Sequence, residues 1–238
     1  MKKIFALIAL LTLPALSHAY VVQDNDPGKW GGAPFGTGAT VSYSFMSTGT
    51  SCSAEFAGCS ITSFFDFMPA GFFSELTRAF DAWSNVADLT FVQVADDGAA
   101  FNAPTASGDI RIGGHVFDGA GGTLAHGFYP PANGLSAAGD IHFDTGDTWS
   151  IGFGGPGFDI FTVFAHELGH ALGLDHTAVP GSLMNPFYAA GFDGPQADDI
   201  AGMQFIYGPA EEVNNVPLPG TLFLFAAGLL MLLRRRQA

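Results

Sequence analysis

The chain has 238 residues, 48% of them hydrophobic, with 8 basic against 22 acidic residues and a formal net charge of −14. That length allows one compact domain plus processing segments, and the acidity excludes nucleic acid and anionic membrane as partners of the body. Lys2, Lys3, Arg234, Arg235 and Arg236 lie at the two ends, so only Lys29, Arg78 and Arg111 stand among the acidic residues.

Residues 1–19 read as a secretory signal: Lys2 and Lys3 are followed by the apolar run Ile4–Leu13 and by Ser17-His18-Ala19, an A-x-A-like cleavage site. The run is too short to span a membrane. The Gly/Pro-rich stretch 21–40 reads as loop, and Val41–Phe45 alternates as a first strand. Residues 47–67 read as a loop carrying Cys52 and Cys59, the only cysteines, which in an exported chain are expected to form a disulfide. A helix is expected over 69–87, where Phe73, Leu76, Phe80 and Trp83 recur at helical spacing and Pro69 suits the start. Leu89–Val94 reads as a second strand, and Asp109–Ile112 opens a third.

Residues 113–147 are glycine-rich yet hold His115, His126 and His142 with Asp118, Asp140, Asp144 and Asp147. A floppy linker does not concentrate such groups. A long loop with little regular structure needs staples, which metals can supply.

His166-Glu167-Leu168-Gly169-His170 falls on a helix expected over 160–172. Histidines four apart project from one face and can share one tetrahedral ion. Gly173 can take φ > 0, end the helix and turn the chain back, bringing His176 in as a third ligand. The fourth position then stays open for water, as catalytic zinc sites require. Glu167 stands beside that position as a candidate proton acceptor. Met184 follows in a proline-marked turn, Ser182-Leu183-Met184-Asn185-Pro186. A final helix is expected over 195–207, opened by Asp193-Gly194-Pro195. An acidic linker covers 209–215. Residues 216–238 end in an uncharged apolar run and Arg234-Arg235-Arg236, with 216–233 just long enough to span a membrane. The arginines would stay cytoplasmic and hold the body outside.

The zinc helix with its downstream methionine matches the metzincin pattern H-E-x-x-H-x-x-G-x-x-H, and residues 41–207 resemble the matrixin branch of that clan. Thr177 after the third histidine and Met184-Asn185-Pro186-Phe187-Tyr188 are similar to family motifs, and so are the stretches Phe117–His126 and Gly139–Asp144. The resemblance implies an α+β fold, a twisted mixed sheet with an active-site helix and Met-turn, in a domain spanning 20–208. It implies that Met184 floors the metal and that Pro186 and Tyr188 line a substrate pocket. One calcium would take Asp118, Gly119, Gly121, Thr123, Asp144 and Asp147, and a second Asp109 and Asp140. A structural zinc would take His126 and His142 with His115. The family's His-x-Asp pair lies on a longer loop, and this chain offers no fourth ligand there. The chain holds no Pro-Arg-Cys-Gly cysteine switch and no hemopexin-like segment, so latency of that type is not expected. The tail resembles a PEP-CTERM sorting signal, with Val-Pro-Leu-Pro at its start. That implies export in a Gram-negative bacterium, transient inner-membrane anchoring, removal of the tail by an exosortase, and a surface or extracellular-matrix destination.

The expected function is a zinc metalloendopeptidase acting on protein or peptide substrates as a monomer, with Glu167 as general base. The alternative is a non-catalytic surface or matrix protein that keeps its metals for stability. A zinc hydrolase of small substrates is a further alternative, which the extended match around Met184 disfavours.

Overall fold

The computed structural model describes residues 20–22, 28–130 and 136–211. The signal segment and the C-terminal tail lie outside them. Among the described residues, no helix is long and apolar enough to cross a membrane.

The elements are β1 (Ala39–Phe45), α1 (Phe64–Phe67), α2 (Phe72–Ser84), β2 (Leu89–Gln93), β3 (Ile110–His115), β4 (Ala125–Gly127), β5 (Ile141–Asp144), β6 (Trp149–Ser150), β7 (Phe158–Asp159), α3 (Ile160–Ala171) and α4 (Ala197–Tyr207). The main sheet has the order β2-β1-β3-β5-β4. Its first four strands run parallel, and β4 is antiparallel to β5 at one edge, with His126 opposite His142. This is the mixed sheet of the expected α+β class. β3 and β5 are buried along their whole lengths, as parallel central strands covered on both faces should be.

Several boundaries differ from the sequence expectation: β1 begins at Ala39 rather than 41, α2 ends at Ser84 rather than 87, and 113–147, expected as a long loop with little regular structure, carries the end of β3 with β4 and β5. Helix α2 starts at Phe72 rather than at 69, because Gly71 sits in the left-handed region at φ 95° and Pro69 closes the preceding turn through the Phe72 N–H. The stretch 47–67 is not loop throughout, since its end forms α1. Helix α4 starts at Ala197, where Gln196 is an extended N-cap and shares a capping box with Asp199.

One core unites the sheet with α2, α3 and α4. Trp83, fully buried on α2, donates its indole N–H to the Ala165 carbonyl of α3 at 3.0 Å. Trp30 donates to Ala171 O at 2.7 Å, and the Tyr207 hydroxyl to Leu172 O at 3.0 Å. Three aromatic side chains from distant parts of the chain thereby fix the body and the end of α3. Each combines a large apolar surface with a satisfied polar tip.

Candidate metal centre and cleft

Helix α3 is capped by Asp159, whose carboxylate accepts from the Thr162 N–H at 2.9 Å and from its hydroxyl at 2.7 Å. It ends at Gly173, φ 110°. The Leu174 N–H reaches Gly169 O and the Gly173 N–H reaches His170 O, each at 2.9 Å, which is the Schellman pattern. The sequence motif therefore becomes a helix with a defined stop, and the chain returns across its own end.

The return brings His176 to His166 and His170. The three Nε2 atoms lie 3.1 Å from one another in every pairing. Nδ1 of His166 lies 2.7 Å from Leu183 O, and Nδ1 of His170 lies 2.8 Å from Leu174 O. A carbonyl only accepts, so both Nδ1 atoms carry the proton and both Nε2 lone pairs are free. Burial holds His166 down to about 4 and His170 to about 3, and lowers His176 as well. Converging neutral lone pairs repel one another unless a cation lies between them. These donors fit one zinc ion, which takes imidazole nitrogen at about 2.0–2.1 Å.

Glu167 is buried, and burial pushes its carboxyl up to about 8, against a hydrogen bond from the Gly127 backbone. A cation among the imidazoles would favour the carboxylate. With His166 and His176 it faces a cleft of about 550 Å³ that also receives Leu124, Phe158, Val163, Pro186 and Tyr188. The Tyr188 hydroxyl accepts the Asp159 N–H at 3.1 Å, tying the cleft wall to the start of α3. Met184 is buried against Gly169 of α3. A methyl group added at Gly169 would run into the Met184 sulfur, so the methionine in its present position packs directly against the glycine.

The residue that holds this turn was not singled out from the sequence. Asp199, at the start of α4, accepts from Leu183 N at 2.8 Å, Met184 N at 3.0 Å, Gln196 N at 2.7 Å and the Ser182 hydroxyl. Its capping-box position was the available signal.

In the 118–147 region the carboxylates turn onto backbone N–H groups. Asp118 accepts from Thr123 at 3.0 Å, Asp144 from Gly119 at 3.2 Å and Asp147 from Gly121 at 2.7 Å. Asp118, Gly119, Gly121, Thr123, Asp144 and Asp147 therefore do gather in one loop cluster. Asp109 and Asp140 do not pair in the same way. Asp109 accepts from Ser42 N and Oγ at 2.8 and 2.7 Å, whereas Asp140 accepts from Arg111 N at 3.2 Å. Cys52 and Cys59 form the expected disulfide. His115, His126 and His142 gather on one carboxylate, Glu55, which lies between those cysteines.

An active-site helix folded back over a methionine-bearing turn defines the metzincin class of metallopeptidase domain. Comparison with known proteins narrows the class. Residues 63–208 match the matrixin family model, and the chain belongs to that family. Residues 215–237 match the PEP-CTERM protein-sorting motif. The chain is 42% identical over 147 residues to interstitial collagenase of Oryctolagus cuniculus, covering 61% of this chain and 30% of that protein. It is 43% identical over 143 residues to matrix metalloproteinase-20 of Homo sapiens, covering 58% and 28%. It is 41% identical over 159 residues to matrix metalloproteinase-16 of Rattus norvegicus, covering 60% and 25%. The chain thus spans less than a third of the length of these relatives.

Proposed function

We propose that the chain is an exported zinc endopeptidase in which His166, His170 and His176 hold the zinc and Glu167 is the general base. The observation that carries this reading is the set of three Nε2 atoms at 3.1 Å beside a buried carboxylate at the cleft. Bound zinc polarises a carbonyl and lowers the pKa of water toward about 7. Glu167 accepts the proton as water attacks the scissile carbon and passes it to the leaving amine nitrogen. The outer edge of β4, with the approach 122–125 along the cleft, offers main-chain hydrogen bonds to an extended peptide. Pro186 and Tyr188 shape the pocket beyond the scissile bond, and Met184 floors the site without taking part in the chemistry.

The Asp118–Thr123 loop with Asp144 and Asp147 binds a stabilising calcium, a hard ion suited to carboxylate and carbonyl oxygen. A second calcium at Asp109 and Asp140 would draw on Asp140 Oδ2, which is buried without a hydrogen-bond partner. The sorting motif supports the further reading that the chain is exported, processed by an exosortase at its tail after transient membrane anchoring, and destined for the surface or matrix. Action as a monomer on protein substrates completes the reading.

The test is casein cleavage by the purified chain, with and without a zinc chelator, beside Glu167→Gln. The variant keeps zinc and loses about 10²–10⁴-fold in rate. Undiminished cleavage by the variant rules out the assigned base. Zinc bound without any cleavage of proteins or peptides favours a non-catalytic matrix protein.

A further inference from the structure

The second histidine cluster contains more than the sequence offered. His115 ends β3, His126 lies on β4 and His142 on β5, so the sheet register sets the three rings together. Their fourth neighbour comes from about sixty residues earlier. Glu55 Oε1 lies 3.1 Å from His115 Nε2 and 2.7 Å from His126 Nε2, and Oε2 lies 2.7 Å from His142 Nδ1. All four ligand atoms fall within 4.8 Å of one another.

Hydrogen bonding among these groups does not balance. Nδ1 of His115 lies 3.1 Å from Val116 O and so carries its proton. A neutral His115 then turns a bare Nε2 lone pair toward a carboxylate oxygen. His126 Nε2 is buried 2.7 Å from the same oxygen, yet makes no hydrogen bond. Several imidazolium ions around one carboxylate would repel each other, whereas a single divalent cation satisfies every lone pair at once. Three imidazoles and one carboxylate suit zinc.

Glu55 stands on the loop that the Cys52–Cys59 disulfide closes. Within it the Glu55 and Phe56 N–H groups both reach Cys52 O, at 2.9 and 3.2 Å, and Cys52 N reaches Cys59 O at 3.2 Å. Phe56 packs its ring 5.4 Å from that of His115. The carboxylate is thus aimed by a covalently closed turn rather than by a strand.

We propose that Glu55 completes a second, non-catalytic zinc site with His115, His126 and His142, and that the Cys52–Cys59 bridge holds this ligand in place. The site replaces the missing fourth ligand with one from a different segment. It ties the oxidised state of the cysteines, which an exported chain attains outside the cytoplasm, to metal retention at the sheet edge that flanks the cleft.

The experiment is zinc counting on the full chain together with chelator-release kinetics. Wild type carries two zinc ions. Glu55→Gln carries one and His170→Ala also carries one, so failure of this site and failure of the catalytic one read out separately. Cys52→Ser/Cys59→Ser keeps two but releases one about 10–100-fold faster, the effect usual for loss of a group that orients a ligand. Serine is used rather than a reductant because free thiols would stand within ligand reach of His115. Two zinc ions held with unchanged release in Glu55→Gln overturn the ligand assignment, and unchanged release in the double serine variant overturns the role of the bridge. If Glu55→Gln fails to fold, anomalous diffraction at the zinc edge on wild type decides. A peak bonded to Glu55 and the three imidazoles supports the proposal, and no peak, or one without Glu55, overturns it.

Discussion

Nδ1 of His166 donates to the carbonyl oxygen of Leu183 at 2.7 Å, so an imidazole on α3 is oriented by the turn seventeen residues later. That turn is in turn held by Asp199, which accepts from the N–H of the same Leu183 at 2.8 Å. A continuous chain of hydrogen bonds therefore runs from the first turn of α4 to the cluster of His166, His170 and His176.

Asp199→Ala should break it. The buried Leu183 N–H would lose its acceptor and the Met184 N–H would keep only the Ser182 hydroxyl at 3.3 Å, which together costs about 2–4 kcal/mol when bonds to a charged group are lost. The measurements are urea denaturation and zinc affinity, with affinity falling about 10–100-fold as the His166 ring loosens. Unchanged zinc affinity would show that the turn does not orient the ligand.

Gly169→Ala opposes two effects of different size. Helix propensity favours alanine by about 1 kcal/mol, but the new methyl runs into the Met184 sulfur and lies 3.0 Å from its Cε and 3.3 Å from Trp83 Cζ2. Overpacking of about 1–3 kcal/mol should win. Adding Met184→Ala should cost less in the Gly169→Ala background than alone, and additive effects in thermal melts would contradict this contact.

Calcium should raise the melting temperature of dialysed protein. At a hundredfold excess over its dissociation constant, binding to the folded state alone adds about 2.7 kcal/mol, or about 5–10 °C for a chain of this size. Asp144→Asn should remove most of the shift. Melting curves indifferent to calcium would eliminate the site at Asp118–Asp147.

Acid should act through Asp96. Burial pushes its carboxyl up, but hydrogen bonds from Arg111, the Gly98 N–H and the Ser44 hydroxyl together hold it below the usual range. A lowered folded pKa means stability that is present above the unfolded value of about 3.9 and lost as pH falls through the folded one. Arg111 is fully buried and forms its ion pair with Asp96, Nε to Oδ2 at 2.8 Å. Asp96→Asn should therefore cost about 3–5 kcal/mol at pH 7, with the gap closing below about pH 4. A gap independent of pH in urea titrations would refute the ion pair.

The catalytic motif was legible because its geometry is local. Helical spacing sets His166 against His170, and a glycine able to take φ > 0 sets the return to His176. The three histidines of 113–147 were visible as a cluster, since no linker needs them. The strand at Val41–Phe45, the helix α2 and the helix α4 were also readable, with the helix starts moved by Gly71 and by the extended Gln196; of the α2 stripe Leu76, Phe80 and Trp83 are buried, whereas Phe73 is exposed and Phe72 takes its place.

What the chain alone determined is the chemistry: which side chains can hold an ion, which carboxylate stands free beside them, and where the backbone can reverse. What only the tertiary structure decided is which distant residue meets each cluster, Glu55 at the second group of histidines and Asp199 at the turn of Met184. Local spacing follows from the period of one helix. A partner sixty residues away is chosen by sheet register and core packing, which no single segment encodes.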